Sequence, residues 1–288
     1  MNYLSSYRSR VVRFALLFAL MFGATAGSAS AQSKPVVNAG IDFPTVYFFR
    51  GIRQEVDPKF TTFVFGDVGF PVVSGGKGGV SSATINVGTW NAFLTGTSGS
   101  EPLADSPFYE SDFYASLTLG FSNGISVTPM FTAYMSPNDV FTTVKEVSFK
   151  VAHASKAAPY ALFAFEFGDD DSGEADGGHL AGGGKGTYLE LGVGPSWPVA
   201  DGKATLAVPV KVGLSLKDYY QHPVTNEDSK FGYVDAGVLL TVPFAQKFNI
   251  HGGVNVLGLG DTNAFFNGDE DGDRSSWVIA SIGLGVTF

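Results

Sequence analysis

Cysteine is absent from the 288 residues, which removes disulfide frameworks and thiolate metal sites from consideration. Histidine occurs four times, and no two histidines stand at a metal-ligating spacing such as H-x-x-x-H. Charged residues make up only 16% of the chain, and acids outnumber bases for a net charge of −9. No basic patch is present to neutralise phosphates, so nucleic acid is excluded as a partner. Long apolar runs are also scarce. A single one stands near the N-terminus, and no later stretch reaches the roughly 20 residues of a membrane helix.

That single run reads as an export signal. Arg8, Arg10 and Arg13 form a positive n-region, Phe14 to Phe22 (FALLFALMF) is the apolar core, and Ala29-Ser30-Ala31 is an A-x-A cleavage pattern. A membrane anchor would need about 20 apolar residues, and the small, polar stretch from Gly23 cuts this one short. The expected division is a signal peptide over residues 1–31 and one mature domain over 32–288.

The mature chain is rich in what strands and turns use. Glycine occurs 37 times and phenylalanine 26 times. Mean hydropathy is slightly positive (+0.14) although no second apolar helix exists, so the apolar residues must be spread over alternating positions. They are. Ala204, Leu206, Val208, Val210, Val212, Leu214 and Leu216 alternate with Thr205, Ala207, Pro209, Lys211, Gly213, Ser215 and Lys217. A period of two marks a strand with one apolar and one mixed face. From 204 to 216 the path is roughly 41 Å at about 3.4 Å per residue. Tilted by about 45° it still covers the ~25 Å apolar band of an outer-membrane barrel. Strands in soluble sheets average about 5–6 residues.

The pattern recurs in about twelve segments, beginning near Val36, Phe60, Ser82, Phe108, Ile125, Val144, Pro159, Thr187, Ala204, Phe231, Phe248 and Trp277. Their connections alternate. Short links fall at Ser74–Val80, Ser122–Gly124, His153–Ala158, Pro198–Lys203 and Pro243–Lys247. Long, polar ones fall at Gly96–Pro107, Gly168–Gly186, Tyr219–Lys230 and Gly260–Ser276, with Gly51–Lys59 and Ser136–Thr143 in the same series. This rhythm predicts an all-β fold: a transmembrane antiparallel up-and-down β-barrel of about 12 strands, with short periplasmic turns, longer outer loops and both termini periplasmic. The last strand alternates to an aromatic end at Phe288, which resembles the C-terminal signature read by the barrel-assembly machinery. Pro44, Pro129, Pro195 and Pro209 fall inside or beside strands, where a missing N–H calls for local bulges.

The segment Tyr47-Phe48-Phe49-Arg50-Gly51-Ile52-Arg53-Gln54 resembles the "YVFRGISQ" signature of Gcw_chp, a family of small proteobacterial outer-membrane proteins described as porins. Arg53 stands where the pattern has Ser. Glu110-Ser111-Asp112-Phe113-Tyr114, Gly124-Ile125-Ser126 and Glu146-Val147-Ser148-Phe149 are similar to later parts of that pattern, so the resemblance spans roughly residues 36–195. It implies a barrel with a channel-like role in the outer membrane and no established substrate. Arg50-Gly51 is expected where the first strand leaves the membrane, with Gly relaxing the backbone and Arg at the polar rim.

The inward set expected from alternation is Asp42, Asp67, Glu110, Asp112, Glu146, Glu166, Glu190 and Asp235 against Arg50, Lys150, Lys211 and Lys217, with His251 beside Asn249 and Asn255. An excess of carboxylates favours cations in a narrow lumen. The expected partners are outer-membrane lipid, small solutes or ions, and the assembly machinery. Two alternatives remain open: an occluded structural or adhesive barrel presenting acidic loops, and an outer-membrane lipid hydrolase.

The hydrolase needs a Ser nucleophile and a His base. His153-Ala154-Ser155 places both on one strand face, but at a short turn, where it reads as a solvated histidine, and no catalytic residue is assigned. Asn267, Asp269, Asp271 and Gly272 match the first half of a calcium-loop pattern, yet Val278 stands where the bidentate Glu belongs. Asp269, Asp271 and Asp273 are left as a candidate surface site for Ca²⁺ or Mg²⁺, against the plainer reading of a solvated negative loop. No other cofactor is expected.

Overall fold

The structure, a computed structural model, describes residues 34–55, 57–76, 79–96, 107–167, 186–222, 224–268 and 272–288. The expected leader with its cleavage pattern, and the acidic run from Asp169 to Asp176, lie outside the described residues.

Among the described residues twelve strands close into one antiparallel barrel. They are β1 (Val36–Pro44), β2 (Thr61–Ser74), β3 (Val80–Leu94), β4 (Phe108–Phe121), β5 (Ile125–Met135) and β6 (Val144–His153), then β7 (Tyr160–Phe167), β8 (Thr187–Val193, resumed as Ser196–Val199), β9 (Ala204–Ala207, resumed as Val210–Lys217), β10 (Phe231–Phe244), β11 (Phe248–Leu259) and β12 (Ser276–Thr287). Each pairs with its neighbours in chain order, and β1 pairs with β12 from Asn38↔Thr287 to Pro44↔Ser281. Closure leaves no unpaired edge, the condition for strands to cross a bilayer. A short helix, α1 (Asp261–Phe266), in the β11–β12 connection is the one helix among the described residues.

The outer face carries the apolar alternants. Phe113, Val254, Val256, Val278, Ile282 and Leu284 are exposed, with Val278 at 64%. The buried residues lie inside the lumen and are largely polar: Glu110, Glu146, Glu166, Tyr188, Tyr219 and Tyr233. A chain that buries carboxylates and exposes valines is folded for lipid outside and hydrogen bonding within. The short connections all lie at the end that carries both termini, as the loop rhythm predicts.

The prolines are accommodated in more than one way. Pro209 and Pro195 interrupt neighbouring strands side by side, rather than forming simple bulges. The Val208 amide donates to the Pro195 carbonyl at 3.0 Å, and the Gly237 amide to the Pro209 carbonyl at 3.0 Å. The strand expected to be cleanest, 204–216, is therefore broken at Val208–Pro209. At Pro129 pairing with β4 lapses between Met130 and Val127, while pairing with β6 continues. A true bulge occurs at Pro71, between Pro71 and Val73. Pro44 simply ends β1.

The closing seam is held from inside as well as by its ladder. Asp42 of β1 and His251 of β11 flank the same β12 residue, Gly283, and meet across it, with Oδ1 and Nε2 2.7 Å apart. A Cβ at Gly283 would lie 2.0 Å from that oxygen and 2.5 Å from that nitrogen. Gly283→Ala should therefore destabilise the barrel by about 1–3 kcal/mol through overpacking. Gly66→Ala, whose Cβ would meet nothing closer than 3.7 Å, should be close to neutral. Urea unfolding in detergent micelles, followed by gel migration before and after boiling, checks both. Equal midpoints for the two variants would contradict the seam.

Candidate functional site

The segment that follows β1 does not leave the barrel. Residues 45–55 turn inward, and Phe48–Phe49 pairs with Ile52–Arg53 as a small hairpin inside the lumen. Its two turn residues, Arg50 and Gly51, both have positive φ (47° and 83°), the type I′ arrangement. Gly51 is required twice over, because a Cβ there would also lie 2.6 Å from the Asn263 amide and 2.8 Å from the Tyr233 ring. Arg50 holds the left-handed conformation at a cost of about 1–3 kcal/mol. The expectation of Arg50 at the polar rim of a strand exit is thus corrected. It sits on a plug within the lumen, with 11% of its side chain exposed.

Arg50 organises one wall. Its guanidinium donates to both oxygens of Glu146 at 2.7 and 2.9 Å and to the Tyr219 hydroxyl at 2.7 Å, and it lies 3.7 Å from Glu166. Its plane stands 4.3 Å from the Tyr188 ring centroid. A two-pronged, charge-assisted pair is the strongest fixed link a buried arginine makes. Tyr219 is positioned in turn, since its amide donates to Ser215 Oγ at 3.0 Å and Ser215 donates to Asp228. Burial alone would raise the Asp228 carboxyl. Hydrogen bonds from Lys230 and Ser215 hold it below the ordinary aspartate range. Protonating Asp228, at a pH below that of an ordinary aspartate, loosens this outer loop.

The hairpin is tied to the other walls too. Tyr47 packs on Phe63, Trp90 and Tyr109 and donates to Glu110 at 2.9 Å. Glu55 accepts from the Tyr47 amide at 3.2 Å and from Thr61, and Tyr109 donates to Gln54 at 2.7 Å. On the far side the Arg53 amide donates to Asn267 Oδ1 at 2.7 Å, and Asn267 Nδ2 to the Gly51 carbonyl at 2.8 Å. The connection that carries α1 therefore fastens the plug from above.

The expected inward residues divide into groups. Glu110, Asp112, Glu146 and Glu166 do face inward, but they are buried around the plug rather than lining an open pore. Lys217 is corrected: it ends β9 at the mouth, 75% exposed and 3.9 Å from Asp218. Toward the short-turn end the others remain. Glu190 accepts from Tyr160, Tyr188 and Tyr233 at 2.7, 2.9 and 2.7 Å. Lys211 lies 3.9 Å from Glu190 and 3.8 Å from Asp235, and Asn255 donates to Asp235 at 2.8 Å. Lys150 stands over the Tyr160 ring at 4.3 Å. Asp67 accepts from Asn38 at 3.2 Å.

A cavity of about 380 Å³ lies under the plug. Phe48, Arg50 and Gly51 cover it, and Asp42, His251 and Ser281 line its other end. A second space of about 270 Å³ shares Lys211, Asp235 and Asn255 with it and reaches Ala158 and Pro209 near the short turns.

His153 and Ser155 are both exposed at the β6–β7 turn. His251 has each ring nitrogen engaged, by Asn249 at 2.9 Å and Asp42 at 2.7 Å, which leaves none for a nucleophile. Asp269 and Asp271 lie outside the described residues, Asp273 is exposed, and no metal-holding group of three occurs among the described residues.

The plug is what sequence reasoning missed, because a short aromatic loop in a long-link slot looks the same whether it points out or in. One signal was present. Arg-Gly between Phe-Phe and Ile-Arg is a two-residue hairpin turn flanked by residues too apolar for an outer loop.

No family model matches the chain, and no curated protein matches it. Among solved structures it is similar to the NanC porin (11% identity, TM-score 0.47, covering 88% of this chain and 99% of that one) and to the KdgM porin (7%, 0.43, 88% and 99%). It is also similar to outer membrane phospholipase A from Escherichia coli (13%, 0.46, 86% and 92%). Likeness at this level assigns no activity to the chain.

Arg50→Ala leaves Glu146 buried without its partner and should weaken plug docking by about 3–5 kcal/mol. Arg50→Lys, a single point charge, should recover only part of that. Hydrogen exchange at the Arg53 and Gln54 amides reads the effect, and unchanged protection in Arg50→Ala would refute the anchoring role.

Proposed function

We propose that the chain is an outer-membrane channel for small solutes, weakly cation-preferring, whose outer half is closed at rest by the Tyr47–Gln54 hairpin. The observation that carries this reading is the space of about 380 Å³ beneath the plug, lined by ionisable side chains and sharing Lys211, Asp235 and Asn255 with a second space that reaches toward the short turns. A barrel with a purely structural role has no use for charged groups facing an internal cavity, since each unpaired one costs desolvation. Below the plug Asp42, Asp67, Glu190 and Asp235 stand against Lys150 and Lys211, so the residual charge is negative. Carboxylates in a narrow lumen lower the energy of cations relative to anions. Pairing of Lys211 with Glu190 and Asp235 keeps the preference modest.

The apolar outer band fits membrane lipid, and the strand ending at Phe288 fits recognition by the barrel-assembly machinery. Export through the expected signal peptide delivers the chain to the periplasmic side, where the short turns and termini then stay. The occluded structural barrel is the second reading, favoured by the number of bonds that hold the plug. Lipid hydrolysis is not part of the proposal, given the turn position of His153 and Ser155.

Single-channel recording of the refolded protein in a planar bilayer separates these readings. The wild type should conduct rarely, Arg50→Ala should open more often, and reversal under a salt gradient should be cation-selective. Silence from both proteins would favour the occluded barrel, and an anionic reversal would refute the lining. Ser155→Ala should leave conductance unchanged.

A further inference from the structure

We propose that the cavity beneath the plug is a binding subsite for a small organic cation with a primary ammonium group. The inference deepens the channel reading by naming the class of solute, and it rests on which groups in the cavity are already committed.

The donors are largely spent. Asn255 gives its amide to Asp235, His251 has both nitrogens engaged, and the Arg50 guanidinium is held by Glu146. Lys211 stands between two carboxylates, so its charge is more than offset. An anion entering here meets few free donors, and a neutral sugar needs donors and acceptors together.

Acceptors are what remains. Asp42 uses Oδ1 for His251, and its Oδ2 has no hydrogen-bond or ion-pair partner among the described residues, while 28% of the side chain stays exposed. That carboxylate lines the same cavity as the rings of Phe48, Phe63 and Tyr233. A free carboxylate oxygen beside aromatic faces suits an alkylammonium, whose charge pairs with the oxygen while its carbons and N–CH₂ groups lie on the rings. At about 380 Å³ the space is at the small end of ligand cavities, which excludes long chains.

Isothermal titration of the refolded barrel in micelles at low salt tests the assignment, with putrescine as the probe and glutamate and glucose as comparators. Putrescine should bind saturably and the other two should not. Asp42→Asn should weaken putrescine about ten-fold, as loss of one charge-assisted bond does. Asp235→Asn should weaken it as well, and Asp67→Asn, an inward carboxylate outside the cavity, should leave it unchanged. Gel migration without boiling verifies that each variant is folded, and Asp235→Asn carries the test if Asp42→Asn disrupts the seam. No putrescine binding at millimolar concentration, equal binding by all three variants, or preference for glutamate or glucose overturns the proposal. Binding in micelles needs no current. A barrel that binds putrescine and never conducts loses the channel and keeps the subsite, whereas one that conducts and does not bind loses the subsite alone.

Discussion

The two-pronged contact between Arg50 and Glu146 is the constraint on which the interior depends. A guanidinium taken out of water is tolerated only where a carboxylate meets it in good geometry and the remaining donors and lone pairs find partners. Those partners recruit the wall: Glu166 and Tyr219 on one side, the Tyr188 ring beneath. Because Arg50 sits at the turn of its hairpin in a left-handed conformation, fixing its side chain also fixes the hairpin. Tyr47, Gln54 and Glu55 then fall against β2 to β4, and Gly51 and Arg53 against the connection that carries α1. One ion pair thereby determines where the chain from Thr45 to Glu55 goes, and with it whether the outer half of the lumen is filled.

The barrel around it follows simpler rules. Alternation puts valine, leucine and phenylalanine into lipid, and it puts tyrosines, amides and carboxylates where they can bond one another. Glycine makes room for that second set. Gly283 lets Asp42 reach His251, and Gly213 admits the ring of Tyr233, whose carbon would lie 2.2 Å from a Cβ. The inner surface is packed by bulky polar side chains leaning over glycines on the next strand, so the network is shaped by the residues that lack side chains as much as by those that have them.

Much of this was legible in the sequence. Strand starts at Val36, Phe108, Ile125, Val144, Thr187, Ala204, Phe231 and Phe248 coincide with the alternation, and the short and long connections fall in the expected order. Period-two patterning and loop length are local properties, and a barrel is built from local pairings. The inward position of Asp42, Glu110, Glu146, Glu190, Asp235 and His251 followed from the same parity. What parity does not reach is a segment that leaves the wall. Arg50 was counted among inward charges and also placed at a polar rim, and nothing local distinguishes a rim from a plug. Its partner stands ninety-six residues away. Lys217 failed for a related reason, since parity says which face a residue is on and not whether the wall still continues there. The break at Pro209 was visible as a proline, but its resolution needed the neighbouring Pro195, which lies beside it only once the strands pair.

The absence of cysteine makes the central claim, that the Tyr47–Gln54 hairpin is docked inside the barrel, directly measurable. A single cysteine at Ile52, a position 6% exposed, is read with a membrane-impermeant maleimide on the folded barrel, and a cysteine at Val224, 74% exposed on an outer loop, is the reference. A docked hairpin predicts rapid labelling at position 224 and almost none at 52 until the barrel is unfolded. Equal labelling at the two positions before unfolding would place the hairpin outside the lumen and contradict the account.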